Sequence, residues 1–148
     1  MTFEESLRFV LEADENLVPE IYEDHMSNAT CGIGHLLVPQ DREYGWPIGT
    51  EISEARVTQL YNQDVGIALK DARWLHPDFD DLPDPARIVI ASLSFQLGRP
   101  RYQLFALHHA AIKVRDWREA AAQLRDSNLY RQTTNRTERH AQRLEQIA

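Results

Sequence analysis

The sequence predicts an α+β fold, mostly helical, with one small antiparallel sheet near the N-terminus. Three observations carry that expectation: apolar residues at helical spacing behind a capping box, two short β-like pieces around a polar turn, and further amphipathic segments running to the end of the chain. The 148 residues are 43% hydrophobic, enough to bury one substantial core but too few for two independent domains.

Thr2 and Glu5 form the opening capping box, and Phe3, Leu7, Val10 and Leu11 then trace one helical face to about residue 13. The pattern changes at Glu20–Asp24 and again at Thr30–His35, which read as a hairpin around the turn 25–29. Residues 38–50 hold two prolines and two glycines and predict a loop, with a short third strand near Gly49–Ile52. Ser53 is a plausible N-cap for a helix to about Trp74, with Val57, Leu60, Tyr61, Val65, Ala68 and Leu69 on one face. Asp84-Pro85 reads as N-cap plus first-turn proline, and the stretch Ile88–Phe95 is apolar nearly all round, as a buried central helix ending at Gly98 would be. Asp116 and Glu119 form another capping box, and a last helix is expected over about 135–147.

The net charge of -7 hides a division. Residues 1–84 carry 18 acidic and 5 basic side chains, whereas residues 85–148 carry 5 and 11, so the C-terminal half could face an anionic polymer. No basic stripe interleaved with aromatics suggests nucleic acid, and no segment is apolar enough to insert in a membrane. Cys31 is the one cysteine, which excludes an intramolecular disulfide, and the opening residues lack the pattern of a signal peptide. Synthesis in the cytoplasm is the expectation. His108 and His109 are adjacent, so on a helix they diverge by about 100° and do not make a metal pair.

Among 23 acidic residues, a pair nine apart means little by itself. Glu15, however, sits just past the end of the first helix, Asp24 at the mouth of the hairpin, and Thr30 at the start of the returning strand. That arrangement can aim two carboxyls and a hydroxyl into one cleft, as glycoside hydrolysis requires. The strings Asp14-Glu15-Asn16-Leu17, Ile21-Tyr22-Glu23-Asp24 and Thr30–Leu37 resemble the active-site segment of the T-even phage lysozymes, glycoside hydrolase family 24, without a gap between Glu, Asp and Thr. Later strings extend the resemblance over about residues 3–147: Asn62–Val65, Phe95–Gly98, Arg115-Asp116-Trp117 with Glu119–Ala121, and Tyr130 with Gln132-Thr133 and Asn135-Arg136.

The resemblance implies a lysozyme-like fold within a single 1–148 domain: a sheet lobe over about 14–52, a linking helix over about 53–74, and a helical lobe from about 2–13 with 76–148. It implies hydrolysis of peptidoglycan glycan strands by a monomeric muramidase, with inversion and without metal or cofactor. Glu15 would be the general acid, Asp24 the carboxylate that positions or activates water, and Thr30 a second holder of that water. Leu36, Phe95 and Gln96 match groove positions, and His108 and Gln123 stand at two others, where the family often has serine and asparagine. Arg136 matches an arginine that pairs with the catalytic glutamate. His35 and Asp64 match a buried pair that supports the fold, so their side chains are expected within about 4 Å. Asn16 replaces a common glycine and is expected at positive φ. Such an enzyme would reach the wall through a membrane pore or on a phage particle. Two other readings stay open: a lysozyme-fold wall-binding or structural component with little turnover, and a lytic transglycosylase.

Overall fold

The computed structural model describes all 148 residues. Eight α-helices and a three-stranded antiparallel sheet make an α+β fold that is mostly helical, consistent with a lysozyme-like architecture. The chain forms two compact units, Arg8–Gly66 and Met1–Leu7 with Ile67–Ala148.

Helix α1 (Phe3–Glu15), which enters the Arg8–Gly66 unit at Arg8, runs two residues beyond the expected end, so Glu15 closes the helix instead of following it. Nothing between Leu11 and Glu15 breaks a helix, and Asn16 supplies the stop: its φ is +64°, and its N–H donates to the Glu12 carbonyl at 2.9 Å. Strands β1 (Val18–Glu23), β2 (Ala29–Gly32) and β3 (His35–Leu36) pair in that order. The expected second strand, Thr30–His35, is split because Gly32 and Gly34 both take φ of +62°, which turns the chain back and makes β3 the third strand. The segment near Gly49–Ile52 is not a strand. It joins β1 through a single Glu20–Glu51 bridge and flanking backbone hydrogen bonds such as Ile21 N–H to the Thr50 carbonyl. The core here is built from Val10, Leu11, Ile21, Cys31, Ile33, Leu37, Ile52, Val57 and Leu60.

In the other unit, helix α2 (Glu54–Leu75), which starts in the sheet unit, continues from Ile67, and a short 3-10 turn follows at Phe79–Asp81. Helix α3 (Asp84–Leu97) is buried on nearly every side, as its composition predicts, and ends at Gly98, whose φ is +74°. Pro83, not Asp84, is its N-cap; Asp84 sits in the first turn and pairs with Arg87. Helices α4 (Arg99–Tyr102) and α5 (Ala106–Lys113) were not expected from the sequence. The capping box holds: the Asp116 carboxylate accepts from Glu119 N–H at the start of α6 (Trp117–Arg125). Helices α7 (Asn128–Gln132) and α8 (Thr134–Glu145) complete the chain. No helix is long and apolar enough to cross a membrane.

Candidate active site

The sheet register sorts the residues of β1–β3 into two faces. Tyr22 pairs with Thr30 and Thr30 with Leu36, so these three form one row across the sheet. Ile21, Cys31 and His35 alternate with them and are buried on the core side. Asp24 follows β1 by one residue and is held by its own turn. Its Oδ1 accepts from the N–H groups of both Met26 and Asn28 at 2.8 Å, and the Asn28 side chain adds a hydrogen bond to the carboxylate. The Asn28 N–H bond is the main cause that holds the Asp24 carboxyl below the usual range, with Met26 adding to it against some desolvation. The Thr30 hydroxyl donates to the Asn28 carbonyl at 3.1 Å, which leaves its oxygen lone pairs as what it can offer a ligand.

Glu15 lies against Gly34. A Cβ built on Gly34 would stand 2.3 Å from Glu15 Oε2 and 2.9 Å from its Cδ, so the absence of a side chain there makes room for this carboxylate. The two carboxylates also meet electrostatically at Tyr22. Burial raises the phenol's pKa first, and then Glu15, Asp24 and Cys31 raise it in that order. Sequence reasoning did not single out Tyr22, although its place two residues before Asp24 on a strand puts both on one face.

His35 and Asp64 meet as expected, Nδ1 to Oδ2 at 2.6 Å. The structure adds a second carboxylate that the sequence reading missed: Asp41 Oδ2 lies 2.8 Å from His35 Nε2 and also accepts from Val38 N–H. Burial opposes charge on His35, but the hydrogen bonds to Asp64 and Asp41 outweigh it and raise its pKa. Beside it, Arg56 grips the buried Glu43 through two hydrogen bonds of 2.6 and 2.9 Å, which hold that carboxyl down to about 2. Burial pushes the Cys31 thiol up to about 11, so it is an inert core residue at neutral pH. No group of three or more histidine, cysteine, aspartate or glutamate side chains converges as a metal site.

Glu15, Asp24, Thr30, Leu36, His35 and Asp64 thus belong to the Arg8–Gly66 unit, whereas Phe95, Gln96, His108, Gln123 and Arg136 belong to the other. Phe95 and Gln96 are half-buried near the end of α3, and Arg136 is half-buried on α8. His108 and Gln123 both line a cavity of about 520 Å³, together with Arg101, Phe105, Leu107 and Asn128. Both ring nitrogens of His108 are engaged within the protein. Nδ1 is bonded to the Ala120 carbonyl and Nε2 to the Tyr102 hydroxyl, so the ring is wall and not a polar contact. Gln123 Nε2 donates to Glu119 at 2.7 Å and keeps its carbonyl for other partners.

No protein-family model matches the chain. Among curated proteins it is similar to probable T4-type lysozyme 2 of Dictyostelium discoideum, 27% identical over 153 residues and 90% of each chain. Probable T4-type lysozyme 1 of the same organism is 24% identical over the same shares. The pre-baseplate central spike protein Gp5 of Enterobacteria phage T4 is 25% identical over 90% of this chain and 26% of its own. With the lysozyme-like architecture and the ordered motifs, these relatives support assignment of the chain to the T4-type lysozyme family.

Proposed function

We propose that the chain is an N-acetylmuramidase that hydrolyses the β-1,4 bond between N-acetylmuramic acid and N-acetylglucosamine in peptidoglycan, with inversion. The observation that carries this reading is that the carboxylates of Glu15 and Asp24 both act on Tyr22, the residue that pairs with Thr30 across the sheet. Hydrogen bonds from its own turn favour the ionised form of Asp24, while Glu15 rests on the bare backbone of Gly34. A water between Asp24 Oδ2 and Thr30 Oγ1 donates to two acceptors and turns an oxygen lone pair toward the anomeric carbon. Glu15 gives its proton to the departing glycosidic oxygen, Asp24 takes one from the attacking water, and the new C–O bond forms on the opposite face. The charge on Asp24 also stabilises the oxocarbenium-like sugar as the old bond breaks. The T4-type lysozyme names of the relatives support the substrate class. Reaching it would need a pore or a carrier, and the match to part of a phage spike protein favours a particle-borne domain as a second arrangement.

Proton NMR of the first product released from purified peptidoglycan should show the α-anomer. An initial β-anomer would overturn the water-holding role of Asp24 and Thr30, an anhydromuramyl end would make the protein a transglycosylase, and binding without cleavage would make it a wall-binding component. Gly34 offers a separate check. Gly34→Ala and Gly45→Ala both force a methyl group onto positive φ, at about 1–2 kcal/mol each, but only the first meets the Glu15 carboxylate, since nothing lies within 4 Å of a Cβ at Gly45. Both variants should lose similar thermal stability, and Gly34→Ala alone should lose tenfold or more in turnover. Equal activities would remove Glu15 from the reaction.

A further inference from the structure

The helical unit contains a chain of buried imidazoles that muramidase chemistry does not use. His76 follows α2, and His108 and His109 are successive residues of α5. His109 Nε2 lies 2.8 Å from the Tyr102 carbonyl oxygen, so it carries the proton and donates. Its Nδ1 is then a lone pair, and the 2.8 Å contact with His76 Nε2 makes His76 the donor. His108 is fixed in the same way: Nδ1 donates to the Ala120 carbonyl at 2.9 Å, and Nε2 accepts from the Tyr102 hydroxyl at 2.8 Å. Every ring is committed to one neutral tautomer. What remains is His76 Nδ1, a lone pair buried without a partner in a residue only 1% exposed.

The surroundings are hostile to an added proton. Lys113 and Arg115, at and beyond the end of α5, repel a charge on His76, and Asp78, the carboxylate that faces it, is already ion-paired to Arg115 at 2.6 Å. On the other side, His140 of α8 stands in the field of His108 and of Arg136, Arg139 and Arg143. Burial is the main cause that drives His76 down to about 4 and His108 down to about 3, and it lowers His109 as well.

We propose that this network is an acid-released latch on α5, closed while its imidazoles are neutral and opened when a proton enters at His76 Nδ1 and draws His76 away from His109 into water. Helix α5 supplies Ala106, Leu107 and His108 to the wall of the 520 Å³ cavity, so release reshapes that cavity. In the open state the histidines titrate near their ordinary 6.5, whereas in the closed state they resist protonation. The closed state therefore has its full advantage above pH 6.5 and loses about tenfold per pH unit for each histidine as pH falls from there toward 4.

Amide hydrogen exchange of the full chain between pH 7.5 and 4.5, corrected for intrinsic rates, tests the latch independently of any enzymatic activity. Protection in α5 should hold above pH 6.5 and fall below it. In His76→Gln, whose side-chain N–H₂ still donates to His109 but offers no basic nitrogen, the fall should be shallower by about tenfold per pH unit. Unchanged protection across this range, or equal slopes in both proteins, overturns the proposal. Should that variant not fold, ring ¹⁵N shifts of the unaltered protein decide: Nε2–H on His76 and His109 with Nδ1–H on His108 supports the latch, and an imidazolium signal from any of the three in the closed protein at pH 6 overturns it.

Discussion

Replacing Glu15 by Gln is expected to lower turnover by roughly 10²–10⁴ while leaving glycan binding intact, because the amide keeps the side chain's shape beside Gly34 but cannot donate the proton that a general acid must. Single-turnover cleavage and equilibrium binding to insoluble peptidoglycan separate the two effects. A loss of binding with turnover preserved would assign Glu15 to substrate positioning. Asp24 offers a sharper pair of variants, because its side chain also holds the turn. In Asp24→Asn the side-chain carbonyl can still accept from Met26 and Asn28 N–H, so the turn survives and only the charge is lost. Asp24→Ala removes the turn as well. Turnover should fall in both, whereas the thermal midpoint should fall mainly in the alanine variant. Because its turn lowers the Asp24 pKa below the usual carboxylate range, protonation of this residue should not set the acid limit of activity.

The parts of the fold that could be read in the sequence are those written as local chemistry. Helix α6 begins where Asp116 and Glu119 say it should, and α3 stops at Gly98, because a cap and a positive-φ glycine act over one turn. Asn16 adopts the left-handed conformation expected of it. The sheet was less legible: alternation suggested one strand through Thr30–His35, and only the pair of positive-φ glycines, Gly32 and Gly34, explains why it folds back at once. Helices α4 and α5 were missed because Arg99–Lys113 carries prolonged apolar and histidine content without periodic contrast, and burial of its histidines is decided by partners far away in the chain. The same limit applies to the site. Glu15, Asp24 and Thr30 lie in recognisable strings, but Asp41 was invisible as a partner of His35. A loop aspartate six residues on carries no periodicity that would place it against a ring nitrogen.

The partnership of Asp41 and His35 yields the largest expected change in stability. The two side chains are 5% and 6% exposed, so Asp41→Asn breaks a buried ion pair and should cost about 3–5 kcal/mol under conditions where His35 is charged. Asp64, at 23% exposure, keeps more access to water, and Asp64→Asn should cost less, about 1–3 kcal/mol. Neither change touches the residues proposed to do the chemistry, so activity measured well below the thermal midpoint should persist. The pH dependence distinguishes an ion pair from a neutral hydrogen bond. Because the folded pKa of His35 is raised, its contribution is complete below the unfolded value of 6.5 and is lost as pH rises through the folded value. A neutral His35 can donate to only one of the two aspartates, and its remaining lone pair then faces the other carboxylate. Denaturant unfolding of the wild type and Asp41→Asn should therefore differ most below pH 6.5 and converge on the alkaline side. The buried imidazoles around His76 have the opposite sign, since their folded values are lowered and their stabilising contribution fades toward acid. Stability should accordingly decline on both flanks: Asp41→Asn should flatten the alkaline flank alone, and His76→Gln the acid flank alone. A variant that flattened both would mean that the two histidine clusters titrate as one system.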